Sequence, residues 1–218
     1  ARTQVFSAND GVSGDCFGQA IAIDGNEAVV ASYGSGSTTT RLPAVYLFSR
    51  SPSTGLWSQT RKIPLPGAAA ERNPEPAVAL SGNLLAFSNV TKGSVEIFEK
   101  DASGTWQPSA KILQTDVPGS LAATFAKGLA LSGDQLFIGD PGGTHLGAAQ
   151  GVVFSFRRIS GIWTRYPDII PSRGDYAYFG RALSASGGWL AVTGGSSQQA
   201  WLFRTPVTGN HPPHFTGE

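Results

Sequence analysis

The chain has 218 residues, of which 14% are charged, and a formal net charge of +1. There is no basic stripe to follow a phosphate backbone, which argues against nucleic acid as a partner. No apolar run reaches the roughly 18 residues a membrane-spanning helix needs, while a 40% hydrophobic content is enough for a sizeable core.

The chain begins at Ala1 and contains no methionine. Such a start reads as processed, with a signal peptide removed. Together with low charge and abundant Ser, Thr and Gly, it places the protein outside the cell, secreted or at the surface. Arg2 to Phe6 reads as one short strand. Cys16 is the single cysteine, so no internal disulfide can form; with no histidine near it in sequence, it reads as a small buried hydrophobe. Phe17 to Ile23 follows, alternating small residues (Ala20, Ala22) with Ile21 and Ile23 on opposite faces of a strand. Glu27 to Ser32, Val45 to Phe48 and a run from Trp57 to Ile63 complete a set of four strands. Ser53-Thr54-Gly55 supplies the turn between the last two.

The same four-run set then recurs. The inner run reappears at Ala77 to Leu80, Phe125 to Leu131 and Phe179 to Ala185. The second run reappears at Leu84 to Ser88, Gln135 to Gly139 and Trp189 to Thr193, and the third ends at Phe98, Phe156 and Phe203. The turn glycines Gly25, Gly82, Gly133 and Gly187 are 57, 51 and 54 residues apart. A period near fifty residues without helical pattern marks a β-propeller, one unit per blade. The units run over about 12–66, 67–116, 117–173 and 174–205, with 206–218 as a tail, in one domain. The fold class is therefore all-β, a propeller of four blades of four antiparallel strands.

One face of the inner run is small in every copy, as neighbouring blades crowding an axis require. Trp57, Trp106 and Trp163 recur at one position of the unit. That recurrence reads as packing rather than as sugar stacking. The fourth unit has no tryptophan strand, and Pro212-Pro213 in the tail suits a ladder poorly. Arg2 to Phe6 aligns with the outer strands of the other units, so the N-terminal strand is expected to complete the last blade and close the ring. The alternative is a ring that belongs to a longer or multi-chain propeller.

Gly14-Asp15-Cys16-Phe17-Gly18 and Gly174-Asp175-Tyr176-Ala177-Tyr178-Phe179-Gly180 both carry an Asp followed by Phe-Gly, and Gly139-Asp140-Pro141-Gly142 follows the second run. These residues resemble the FG-GAP repeat, the unit of integrin α-subunit heads and of some lectins. The second copy has Glu75-Pro76-Ala77 and the third Phe125-Ala126, so the unit is degenerate. The resemblance implies an extracellular module that binds protein or glycan, with self-assembly among the options. Calcium is the one cofactor it suggests, yet the chain lacks the Asp-x-Asp-x-Asp-Gly loop that a hard cation favours.

Other features read as structure. Arg173-Gly174-Asp175 spells an integrin-recognition tripeptide, but Asp175 matches Asp15 and reads as a turn cap. His145, His211 and His214 lack metal-ligand spacing. No Gly-x-Ser-x-Gly elbow is present, and no acid pair stands out for glycoside chemistry. No catalytic residue and no metal ligand is assigned. Asn89-Val90-Thr91 is a sequon, an acceptor if the chain passes through a eukaryotic secretory pathway. The loops between the second and third strands differ most in length, and Tyr33, Arg41, Asp140 and His145 are their candidate ligand-binding residues. The leading expectation is a non-catalytic binding, assembly or adhesion module acting through protein contacts. A lectin is the alternative, and a glycoside-active enzyme the third reading.

Overall fold

The structure, a computed structural model, describes residues 4–32, 43–65, 76–89, 92–145, 148–170, 178–194 and 199–205. Blade 1 comprises β1 (Phe17–Asp24), β2 (Glu27–Ser32), β3 (Ala44–Arg50) and β4 (Trp57–Pro64), paired in chain order. Blade 2 repeats this with β5 (Val78–Ser81), β6 (Leu84–Asn89), β7 (Ser94–Lys100) and β8 (Trp106–Leu113). In blade 3, β9 (Gly128–Ser132) and β10 (Gln135–Asp140) are followed by a small hairpin, β11 (Thr144–His145) and β12 (Ala148–Ala149). Then β13 (Val152–Ile159) and β14 (Ile162–Ile169) complete the sheet. Blade 4 has three described strands, β15 (Ala182–Ser186), β16 (Trp189–Thr193) and β17 (Ala200–Arg204). The protein is all-β, four blades of a propeller, as the period predicts.

The recurrent glycine sets the first hairpin of each blade. Gly25, Gly82, Gly133 and Gly187 all lie at φ of 55–57°, a left-handed conformation that side chains with a Cβ enter only at a cost of about 1–2 kcal/mol.

The blades pack through their alternation. In each inner strand the small residues face the next blade and the larger ones face the previous blade. Ala20 and Ala22 pack in the cluster that joins blade 1 to Val78, Leu80, Leu85 and Phe87 of blade 2. Ala77 and Ala79 face Leu129 and Leu131 of blade 3. Ala130 and Phe137 face Leu183, Ala185, Leu190 and Val192 of blade 4. The approach is closest between blades 3 and 4. A Cβ built on Gly128 would stand 3.0 Å from Leu183 Cγ, and one on Gly139 only 1.9 Å from the Gly180 carbonyl oxygen. The crowding expected of the small face is thus a backbone contact that glycine alone permits.

The tryptophans pack against clusters, as their recurrence predicts. Trp106 is buried at the junction of blades 1 and 2, Trp163 rests on the junction of blades 2 and 3, and Trp57 rests on the remaining face of blade 1. Two ion pairs cross junctions at equivalent places: Lys100 Nζ to Glu27 Oε1 at 2.6 Å and Arg158 Nη2 to Glu99 Oε2 at 2.5 Å.

Three expectations change. The inner strands of blades 3 and 4 start later than their hydrophobic runs, at Gly128 and Ala182: Phe125 lies in a turn, and Phe179 makes an isolated parallel bridge to Gly151 of blade 3. Those phenylalanines instead pack on third-strand aromatics: Phe125 on Phe154 at 6.3 Å, and Phe179 on Trp201 at 5.3 Å. Cys16 is exposed rather than buried. It sits at φ 50°, and Tyr178, which also precedes its unit's Phe-Gly, sits at φ 72° and is likewise exposed. This left-handed step turns Phe17 and Phe179 inward and its own side chain outward.

The third change concerns the closing strand. Gln4, Val5 and Phe6, the described part of the expected strand 2–6, form no strand, and the described segment packs on blade 1 instead of completing blade 4. Phe6 stacks on Phe48 with centroids 4.7 Å apart and planes 7° from parallel. The Gln4 amide bonds both backbone groups of Trp57, donating to its carbonyl at 2.6 Å and accepting from its N–H at 2.8 Å. Arg61 of blade 1 likewise donates to the Trp106 carbonyl of blade 2. The N-terminal segment therefore stands where the outer strand of a preceding blade would stand. Among the described residues, apolar clusters join blades 1 and 2, 2 and 3, and 3 and 4, and none joins 4 to 1.

Candidate functional site

Of the four loop candidates, Asp140 and His145 fall within the described residues. Tyr33 and Arg41 lie outside the described residues, as do Val90 and Thr91 of the sequon, Arg173-Gly174-Asp175, His211 and His214. His145 pairs through its backbone with Ala148 in the small hairpin of blade 3. Asn89 ends β6 with its side chain buried, facing away from the solvent in which a glycan would stand.

Asp140 is fully buried at the end of β10. Its Oδ2 accepts from the Leu121 N–H at 2.6 Å, and Oδ1 accepts from the Thr124 hydroxyl. The N–H groups of Gly142 and Gly143 also favour its charged form, yet burial outweighs all of these and pushes the carboxyl above its ordinary 3.8. Its oxygens face inward and tie the 121–124 turn to the 140–143 turn, so its role here is to staple two loops. Asp15 behaves as the turn cap the repeat predicts: buried, it accepts from the Val12 N–H at 2.8 Å.

The two ends of the blade array expose apolar side chains at positions that the repeat buries at its internal junctions. Ile21 and Ile23 occupy the positions that Leu129 and Leu131 occupy in blade 3, counting from the hairpin glycine. Leu129 and Leu131 are 6% and 5% exposed because blade 2 covers them; Ile21 and Ile23 are 62% and 63% exposed. At the other end, Leu202 is paired with Ala191 as Ile97 is with Ala86 and Leu47 with Val29. Leu47 and Ile97 are 1% and 0% exposed, whereas Leu202 is 70% exposed. Around Leu202 lie the small residues Ala182, Ser184 and Ala200, also exposed, and Trp189 with the Arg204 guanidinium 4.7 Å over its ring. Residues that are core at every internal junction are surface at the two termini of the array. Only exposure separates them, so sequence periodicity, which makes the units equivalent, could not single them out.

The Phe17 packing on Tyr46 at 5.5 Å and on Phe48 at 6.2 Å completes the aromatic signature of the first unit. Residues 1–48 match the family model of the FG-GAP repeat. The match covers the N-terminal segment and the first three strands of blade 1. Asp15, Phe17 and Gly18 lie within the matched segment, and Phe179 makes the corresponding aromatic contacts in blade 4, with Trp201 and Phe203.

Among solved structures, the chain is similar to "a putative 6-phosphogluconolactonase" from Bacteroides uniformis. Identity is 18% and the TM-score 0.59, over 91% of this chain and 56% of that one. It is also similar to a functionally unknown protein from Desulfotomaculum acetoxidans, at 16% identity and a TM-score of 0.54, over 85% of this chain and 50% of that one. At such identities the likeness is one of fold. The chain spans about half the length of each of these structures. No curated protein matches it in sequence.

Proposed function

We propose that this chain is a non-catalytic binding and assembly module, acting outside the cell through protein contacts made by the end faces of its blade array. The carrying observation is the contrast between Leu129 and Ile21, one repeat position with 6% and 62% exposure. A side chain that is core at one junction and bare at the array's end offers a ready-made apolar surface. Fully burying such a residue contributes about 1.5–3 kcal/mol. The FG-GAP repeat at residues 1–48 supports the extracellular placement and the protein-binding reading. The described residues include no helix long and apolar enough to cross a membrane.

The lectin reading draws on the loops rather than the end faces, and the loop residue described in most detail, Asp140, spends its oxygens inside the fold. The lactonase reading draws on the printed name of one neighbour at 18% identity, and fold alone does not carry chemistry from one protein to another.

The test is site-specific photo-crosslinking in the native host, with the photoreactive group at Ile21 or at Leu202. Cross-links to a protein from these positions, and none from exposed Ile162 on a blade hairpin, are expected. Equal or absent cross-linking at all three positions would overturn the reading.

A further inference from the structure

We infer that the Asp140–Pro141 peptide bond is a self-processing site, at which the Asp140 carboxyl attacks its own main-chain carbonyl and parts the chain into residues 1–140 and 141–218. The site lies inside blade 3, where β10 ends, away from both ends of the blade array.

Asp140–Pro141 is the only Asp-Pro bond in the sequence. The bond to proline is a tertiary amide, whose nitrogen is more basic than that of an ordinary peptide and leaves readily once it takes a proton. An aspartate side chain has the length to close a cyclic anhydride on its own carbonyl. In an exposed loop such a bond persists, because the carboxyl is ionised at neutral pH and turns freely in water.

The fold removes both protections. Asp140 is fully buried, and burial raises its carboxyl above 3.8, which retains the proton. The groups that face it are the Thr124 hydroxyl and the N–H groups of Leu121, Gly142 and Gly143, and none of these carries a charge. The side chain is also folded back on its own main chain. A Cβ built on Gly143 would stand 3.1 Å from the Asp140 carbonyl oxygen and 3.2 Å from its carboxyl carbon, so both groups face one point. The Gly143 N–H sits there, donating to that carbonyl oxygen at 3.0 Å and also to the carboxyl. It polarises the carbonyl under attack and stands where negative charge develops. Leu121 N–H holds Oδ2 at 2.6 Å and the Thr124 hydroxyl holds Oδ1, so the carboxyl cannot rotate away.

In the step itself, a carboxyl oxygen of Asp140 bonds to the main-chain carbonyl carbon of Asp140, and the carbon–nitrogen bond to Pro141 breaks. The carboxyl proton goes to the Pro141 nitrogen, which leaves as a secondary amine. Water then opens the anhydride to two carboxyl groups on residue 140. One water molecule is consumed, and nothing is oxidised or reduced. The two pieces stay together, because β10 remains paired with β13 from Gln135 and Arg157 to Gly139 and Val153.

Intact-mass analysis of the folded chain, incubated between about pH 4 and pH 7, tests this. Two fragments, 1–140 and 141–218, are expected, eluting together in native size exclusion. The protonated carboxyl is the reactive form, so cleavage is fastest at the acid end and slows as pH rises through the raised value. Hydroxylamine in the buffer traps the anhydride as a hydroxamate on fragment 1–140. The urea-unfolded chain at the same pH is expected to cleave about 100-fold more slowly. Asp140→Asn yields no hydroxamate, and Pro141→Ala, which keeps the carboxyl, slows cleavage; circular dichroism checks the folding of both. Should either variant fail to fold, the hydroxamate and the folded-to-unfolded ratio of the wild-type chain still decide. A folded chain that stays intact for several days at every pH would overturn the inference. So would equal cleavage of folded and unfolded chains, or cleavage at this bond that leaves no hydroxamate.

Discussion

Leu129→Ala and Ile21→Ala delete apolar atoms from the same position of the repeat, and the structure assigns them different costs. Leu129 is 6% exposed, with blade 2 packed over it. A buried Leu→Ala truncation loses transfer free energy and leaves a cavity, together about 2–5 kcal/mol. Ile21 is 62% exposed and leaves no cavity. Only the covered third or so of its side chain loses contact, which at full-burial values of about 1.5–3 kcal/mol gives ~1 kcal/mol or less. For a chain of this size each kcal/mol moves the thermal midpoint by about 2–4 °C. Leu129→Ala should thus lower the midpoint by about 4–20 °C and Ile21→Ala by no more than about 4 °C. Melting in dilute solution, where end contacts are absent, is the measurement. Equal losses would refute the claim that blade 1 lacks a preceding neighbour.

Other outcomes follow from local geometry. Gly139→Ala places a methyl 1.9 Å from the Gly180 backbone oxygen and should separate blades 3 and 4, at a cost of about 3 kcal/mol or more. Gly25→Ala meets no neighbour within 4 Å and should cost only the left-handed backbone, about 1–2 kcal/mol; urea denaturation that ranked the two alike would contradict the junction described. Burial holds the Asp140 carboxyl above 3.8. The folded chain then keeps a proton that the unfolded chain has lost, so between 3.8 and the raised value stability falls as pH rises. Asp140→Asn should flatten that part of the stability–pH curve, and an unchanged slope would count against a raised carboxyl. Cys16, exposed at its left-handed turn, should react fully with a thiol reagent in the native protein, and protection until unfolding would contradict that placement.

Much of the fold could be read along the chain because it is a matter of local spacing. The glycine at each hairpin, the alternation of Ala20 and Ala22 with Ile21 and Ile23, and the tryptophan opening the outer strand of the first three units are nearest-neighbour patterns that a strand imposes wherever it lies. Asp15 as a turn cap belongs with them, since donor and acceptor are three residues apart. The candidate site was far less legible. Asp140 read as a loop group open to ligand, and nothing in its neighbourhood along the chain announces that Leu121 and Thr124, 19 and 16 residues before it, consume its oxygens. Cys16 read as buried from its type alone, while a single positive φ decides its direction.

The sequence by itself determined the blade: its four strands, its period and the two faces of its inner strand, because these follow from backbone periodicity and turn chemistry. Only the tertiary structure decided what each blade meets. Ile21 and Leu129 are equivalent as letters in a repeat, and they differ only because one has a blade packed over it. The N-terminal segment shows the same limit. Its pattern marked it as an outer strand, and its place was set by Phe48 and Trp57, the aromatic surface in reach. Repetition makes units alike; the ends of an array are unlike its interior because burial needs a neighbour, and a neighbour is a property of three-dimensional packing.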